Sequence, residues 1–319
     1  MWCINSALIL ASPCVQTIQA HASWIDSMCL SNNEKIIVTG GRDFKVKTWD
    51  TQTSTGYQIM DGHTDWIYAV CTNADDRFVF SSSDSCIKIW EINSGGPLGT
   101  MTGQGGAIYC LCAHPDNTRI YSAGSMGTIV EWDIYQAKAI RTLKGHNGSV
   151  RTLQITHDGH YLVSGATDKQ LRIWDLKKGS CISILGQELS DAILSCCIDT
   201  QGENVYCGTL DGQLAVYNLK NGKLLQTTKT ALISINALCL TSDNNFLITA
   251  SNSQTIDIWN ARTLQHIMSL KGHDHWVRNI HATRDGKKII SSGFDGTIRI
   301  WDIAGICWYW FYLISLFGF

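Results

Sequence analysis

The sequence predicts an all-β fold, a single seven-bladed β-propeller of four-stranded antiparallel blades, on three observations. An aromatic residue ends a β-like run at Trp49, Trp90, Trp132, Trp174, Tyr217, Trp259 and Trp301, with gaps of 41, 42, 42, 43, 42 and 42 residues. A polar residue follows each one, namely Asp50, Glu91, Asp133, Asp175, Asn218, Asn260 and Asp302. Within each unit, short alternating runs are separated by turn residues, the mark of repeated antiparallel sheet. A repeat of this length is one supersecondary unit that buries its faces only against its neighbours, and closing the array into a ring protects its edges.

The fourth unit shows how the elements follow. Ala139–Leu143 is a strand ahead of Gly145-His146, and Val150–Ile155 alternates apolar and polar residues. His157–His160 supplies a turn, Tyr161–Ser164 runs back, and Thr167-Asp168-Lys169 turns the chain again into Leu171–Trp174. Six residues before the aromatic stands Asp43, Asp84, Asp168, Asp211 or Asp295, with Met126 and Ser253 in the third and sixth units. Upstream by 27 or 28 residues stands His21, His63, His146 or His273, and three of these follow glycine.

With Gly-His and Trp-Asp at this period, the chain resembles the WD40 (WD-repeat) family over residues 14 to 302, and six of seven units carry two or more of the markers. The resemblance implies a ring whose last blade is completed by an N-terminal strand. Cys14–Ala20 matches the segment before Gly145-His146, because Ile18 and Val15 stand three and six residues before histidine, as Leu143 and Ile140 do. A rival for that slot is Cys307–Leu313. The N-terminal strand is preferred because its alternation suits an exposed outer edge. Residues 14–302 are thus expected to be the propeller and 303–319 an apolar tail outside it. As a helix, Ile306–Phe319 would reach roughly 21 Å, short of the ~30 Å hydrocarbon core. Membrane contact is expected at most through this tail.

Composition narrows the function. With 25 basic and 27 acidic residues, the formal charge of −2 gives no general attraction to nucleic acid or membranes. The 13 cysteines lack zinc-ligand spacing and fall mostly in apolar runs, pointing to free thiols, a reducing compartment and an intracellular (cytoplasmic or nuclear) location. No charged segment precedes Ala7–Ala11, so no secretory signal is expected.

Histidine, hydroxyl and aspartate in register invite a nucleophilic reading. The hydroxyls are Thr39, Ser122, Ser164, Thr249 and Ser291, with Phe80 and Cys207 breaking the series. A catalytic triad occurs once per site, however, and this set recurs in unit after unit. The resemblance implies that His21, Asp43, His63, Asp84, His146, Asp168, Asp211, His273 and Asp295 belong to a structural hydrogen-bond network with the tryptophan indoles. Blades 3 and 6 lack parts of it and are expected to open more easily. No phosphate loop, HExxH, GxSxG or dinucleotide fingerprint is present. His273 and His275 alone make weak metal ligands. No enzyme, cofactor, metal or small-molecule substrate is expected.

Binding residues are sought where the repeat does not dictate identity. The resemblance implies three such places per blade on one rim, two at the start of the innermost strand and one before the turn aspartate. Blades 7, 1 and 2 place there Trp276, Arg278, Phe294, Trp24, Asp26, Arg42, Trp66 and Tyr68, and Tyr109 and Arg151 extend the sector. Trp, Tyr and Arg dominate interface hot spots. The expected function is a non-enzymatic scaffold or adaptor that binds a protein segment across this rim, with acidic or phosphorylated peptides suited to the three arginines. The alternative is a substrate receptor or subunit of a larger complex such as a cullin-type ubiquitin ligase, on the resemblance of Trp259-Asn260-Ala261-Arg262 to a Trp-Asp-x-Arg motif. An RNA-associated propeller ranks lower because of the near-neutral charge.

Overall fold

The computed structural model describes residues 13–305. Seven four-stranded antiparallel sheets follow one another around a central channel, and each consists of consecutive strands except the last. Blade 1 comprises Ile25–Leu30, Ile36–Gly41, Val46–Asp50 and Gly56–Met60. Its innermost strand is nearly all buried, and its outermost alternates toward solvent. In blade 7, Val277–Ala282, Lys288–Gly293 and Thr297–Asp302 are joined by Cys14–Gln19, with Ile18 opposite Ile298 and Cys14 opposite Trp301. The burial pattern explains the fit: Ile18 is buried and Val15 exposed, as Leu143 and Ile140 are in blade 3's outer strand. The apolar tail beyond residue 305, the rival strand Cys307–Leu313 and Ala7–Ala11 lie outside the described residues.

The hydrophobic core lies between neighbouring blades. Val38, Val46 and Met60 of blade 1 interleave with Ile67, Val70, Val79 and Trp90 of blade 2. Ile25 and Ile37 of blade 1 do the same with Ile18, Ile290 and Ile298 of blade 7 across the closure. Each sheet therefore buries both faces only when the ring is shut.

Five cysteines have a role beyond filling space. Cys29, Cys71, Cys112, Cys197 and Cys239, with His281, occupy one position of six innermost strands, and all line the channel. Four of these thiols reach the backbone of the next blade, Cys29 at Thr72, Cys71 at Ala113, Cys112 at Ile155 and Cys239 at Ala282. His281 Nε2 lies 3.1 Å from Met28 O, linking blade 7 to blade 1. Burial pushes the thiols of Cys29, Cys112 and Cys239 up to about 12, so they stay protonated, although the backbone contacts pull the other way, as N–H groups donating to sulfur do. None of the described cysteines forms a disulfide.

In six blades the turn after the second strand holds a left-handed residue, at Phe44, Gly127, Lys169, Gly212, Gln254 and Gly296. Gly296 shows the constraint, since a Cβ there would stand 2.5 Å from the carbonyl oxygen of His21. Blade 2 has no such residue because its turn is one residue shorter: Ser81 pairs with Lys88, whereas Thr39 of blade 1 pairs with Lys47.

Candidate functional site

In blades 1, 4 and 7 an indole, a hydroxyl, a histidine and an aspartate form one chain. In blade 7, Trp301 Nε1 donates to Ser291 Oγ at 2.8 Å; His273 Nε2 lies 2.7 Å from the same hydroxyl, and Nδ1 lies 2.7 Å from Asp295. His146, Ser164, Trp174 and Asp168 repeat this in blade 4, and His21, Thr39, Trp49 and Asp43 in blade 1. The hydroxyl accepts from the indole and donates to Nε2, and Nδ1–H donates to the carboxylate. Burial holds His21 and His146 below the usual histidine range although their aspartates pull the other way. Asp43, which burial alone would raise, is held at about 2 by His21 and Lys47. Every hydroxyl oxygen here accepts an indole proton, so the sets are tied up in structure.

Blade 2 corrects the expected pairing of His63 with Asp84. Counting back from Trp90 puts Phe80 in the hydroxyl place, but the fold counts forward from His63, and Ser81 takes it. Ser81 Oγ accepts from Trp90 and lies 2.6 Å from His63 Nε2. The shortened turn carries Asp84 away, leaving His63 Nδ1 buried without a partner. Asp84 instead hydrogen-bonds Asp65 and Tyr68, and the neighbouring Asp65 carboxyl raises its pKa. The clue was visible as a His-to-Asp spacing of 21 instead of the 22 of blades 1, 4 and 7. Asp211 has no histidine to hold; it accepts from Ser190 and Thr209 and pairs with Lys229. In blade 3, Gln104 Oε1 accepts from Ser122, so glutamine fills the histidine's place. Blade 6 has only the Trp259–Thr249 bond.

The rim residues of blades 7, 1 and 2 meet in one stack. Phe294 lies between Trp276, at 5.6 Å, and Trp24, at 4.2 Å and nearly parallel. The Arg42 guanidinium is held between Trp24 at 4.3 Å and Trp66 at 4.1 Å, and its Nε donates to Asp26 at 2.7 Å. Trp66 meets Tyr68, and Tyr68 meets Tyr109 edge to face at 5.4 Å, with Arg151 over the Tyr109 ring at 4.5 Å. Arg278 lies 5.5 Å from the Phe294 ring. All ten side chains line one channel cavity of about 1110 Å³.

Their exposures differ, five of the ten being intermediate. Trp24, Trp66 and Trp276 are 37, 39 and 41% exposed, whereas Phe294 and Asp26 are 7 and 9%. Phe294 and Asp26 therefore sit beneath the surface, under the exposed tryptophans, while still lining the cavity. Sequence reasoning missed His275, whose ring lies 5.8 Å from Trp24 and from Phe294 and 5.6 Å from Trp276. Its position inside the loop before Trp276, one residue off the repeat places, hid it.

The opposite rim is different. There the loops are stitched by polar contacts between blades, such as Asn32 and Asn33 to Asp76, Asn244 to Thr200, and Arg284 to Glu34. Arg262 lies at that end, in the exposed turn after the third strand of blade 6, where its backbone N–H donates to Asn260. Among the described residues no cluster of three or more His, Cys, Asp or Glu could hold a metal ion, and no helix is long and apolar enough to cross a membrane.

Comparison with known proteins agrees with this architecture. The family described as the IFT122 first beta-propeller matches residues 76–311, and the WD domain, G-beta repeat, matches residues 12–50 and 55–91. The chain is 23% identical over 302 residues to Autophagy-related protein 16 of Arabidopsis thaliana, covering 92% of this chain and 50% of that protein. It is 25% identical over 309 residues to Nuclear distribution protein PAC1 of Arthroderma otae, covering 93% and 62%. Against Pre-mRNA-processing factor 17 of Homo sapiens it is 22% identical over 180 residues, covering 54% and 31%. The chain thus spans about half the length of the curated relatives it matches. With seven closed blades, the recurrent indole–hydroxyl chain and a family match over most of its length, this chain belongs to the WD-repeat β-propeller family.

Proposed function

We propose that this propeller is a non-enzymatic, intracellular scaffold that binds a protein segment across the rim of blades 7, 1 and 2. One observation carries the reading: the continuous stack Trp276–Phe294–Trp24–Arg42–Trp66, with three tryptophans about two-fifths exposed. Indoles fixed by stacking lose little conformational freedom on binding, and rigid aromatic area of this kind dominates interface energetics. Buried Asp26 orients Arg42, and Arg42 in turn props Trp24 and Trp66 apart. Further support comes from the family, whose propellers are in general non-enzymatic scaffolds that bind other proteins. Free thiols throughout the described residues support the intracellular location.

The test is affinity recovery of partners from cell extract. Intact protein is compared with a Trp24→Ala/Trp66→Ala/Trp276→Ala variant and with a His157→Ala/His160→Ala variant of the opposite rim, each checked by thermal melting. Loss of about 2 kcal/mol per tryptophan should abolish recovery in the first variant only. Equal recovery from the intact protein and the triple variant would overturn the reading.

A further inference from the structure

The charges lining the channel do not balance. Arg42, Arg151, Arg278 and Arg284 line it, but Asp26 is the one carboxylate among its described lining residues, and Arg42 already neutralises that group. Arg284 is engaged at the far end with Asn32. Arg151 and Arg278 remain at the mouth beneath the tryptophan rim, and neither pairs with a carboxylate among the described residues. Each faces an aromatic ring instead, Tyr109 and Phe294 respectively. Arg278 Nε is buried and finds no hydrogen-bond partner, at a place where an orphaned charged donor is costly. Burial and the charges of Arg151 and Arg42, only partly offset by Asp26, bring its pKa down to about 10, so it is still protonated at neutral pH.

We propose that Arg151 and Arg278 form an oxyanion site at the channel mouth that takes the phosphate of a phosphorylated side chain on the docked partner. Two unmatched guanidiniums call for close to two negative charges. A phosphomonoester carries about −1.5 to −2 at neutral pH, with three strong acceptor oxygens suited to guanidinium forks. A single carboxylate would leave one charge unmatched. Tyr109 and Phe294, against which the two guanidiniums lie, replace part of their water and strengthen their pull on an anion. This inference rests on the rim reading for how a partner chain reaches the mouth, but its chemistry is separate.

The probe is a degenerate peptide library centred on phosphoserine, compared with matching libraries centred on serine and on aspartate, on immobilised full-length protein. Phosphoserine should be retained about tenfold or more over serine, as expected for one or two charge-assisted hydrogen bonds, and above aspartate. Arg151→Gln and Arg278→Gln should each erase that preference. Arg151→Lys, which keeps charge but loses the fork, should weaken it, and Arg151→Gln reports independently should the Arg278 variant not fold. Equal retention of the three libraries, or a preference surviving both glutamine substitutions, would overturn the proposal; so would stronger retention of aspartate. In the extract experiment, phosphatase treatment that leaves recovery unchanged while the tryptophan variant still loses it would overturn the phosphate site and leave the rim reading standing. A phosphoserine preference abolished by the arginine variants, with partners still recovered by the tryptophan variant, would uphold the site and reject the rim.

Discussion

His63 is the residue on which the indole network can be tested by pH. It is as buried as the histidines of blades 1, 4 and 7 but lacks their aspartate. Burial, with Lys88 nearby, brings its pKa from 6.5 to about 4. A histidine whose folded pKa is depressed contributes stability that is full above its unfolded pKa and lost as pH falls. Stability should therefore be constant above about pH 6.5 and decline toward pH 4, with His21, His146 and His281 contributing in the same direction. His63→Gln copies what Gln104 does for Ser122 and should flatten the decline by on the order of 2–3 kcal/mol at pH 4. Urea denaturation at pH 7, 5.5 and 4 measures it. An identical acid decline in the variant would show that His63 carries none of it. The displacement of Asp84 shows where sequence reading fails at this scale: the repeat was counted from tryptophan, while hydrogen bonding depends on turn length, and one missing residue redirects the carboxylate.

At the scale of the element, blades differ in how much of the network they keep. Blades 3 and 6 are both expected from sequence to open readily. Gln104 restores the missing acceptor in blade 3, whereas Thr249 of blade 6 has only the Trp259 indole and, on the paired strand, the Asp257 carbonyl at 3.5 Å. Native-state hydrogen exchange should then find a lower opening free energy in Phe246–Ala250 and Thr255–Asn260 than in the matching strands of blades 3, 4 and 7. Protection in blade 6 equal to that in blade 4 would remove the network as a determinant of blade stability. Strand positions were legible from alternation because a sheet packed between two others buries both faces at its inner strands and one at its outer strand. The inter-blade thiols were not legible. Cysteine reads as a small hydrophobe in a strand, and only the ring brings Cys29 to Thr72 or Cys239 to Ala282.

For the whole molecule, closure is the step from which the rest follows, because it makes Trp24 a neighbour of Phe294, 270 positions later in the chain. The seam is held by the pairing of Cys14–Gln19 with Thr297–Asp302, by Ile18 among Ile25, Ile298 and Ile300, and by Asn279 donating to Asp26 O. Ile18→Asp places an unpaired carboxylate in that cluster and should cost about 4 kcal/mol or more, opening the seam before the other blades melt. Limited proteolysis should then cut first before Ile25. Digestion like that of the intact protein would mean that the N-terminal strand is dispensable. The tryptophan sector itself was legible in sequence, since tryptophan at three non-dictated places needs explanation. Its layering was not, because burial sets Phe294 and Asp26 beneath the exposed tryptophans. The most direct measurement of the central claim is site-specific photo-crosslinking in cells, with benzoylphenylalanine replacing Trp66 or Trp276 on one rim and His157 on the other. The account predicts partner adducts from the first two positions and none from His157; adducts from His157 alone would contradict it.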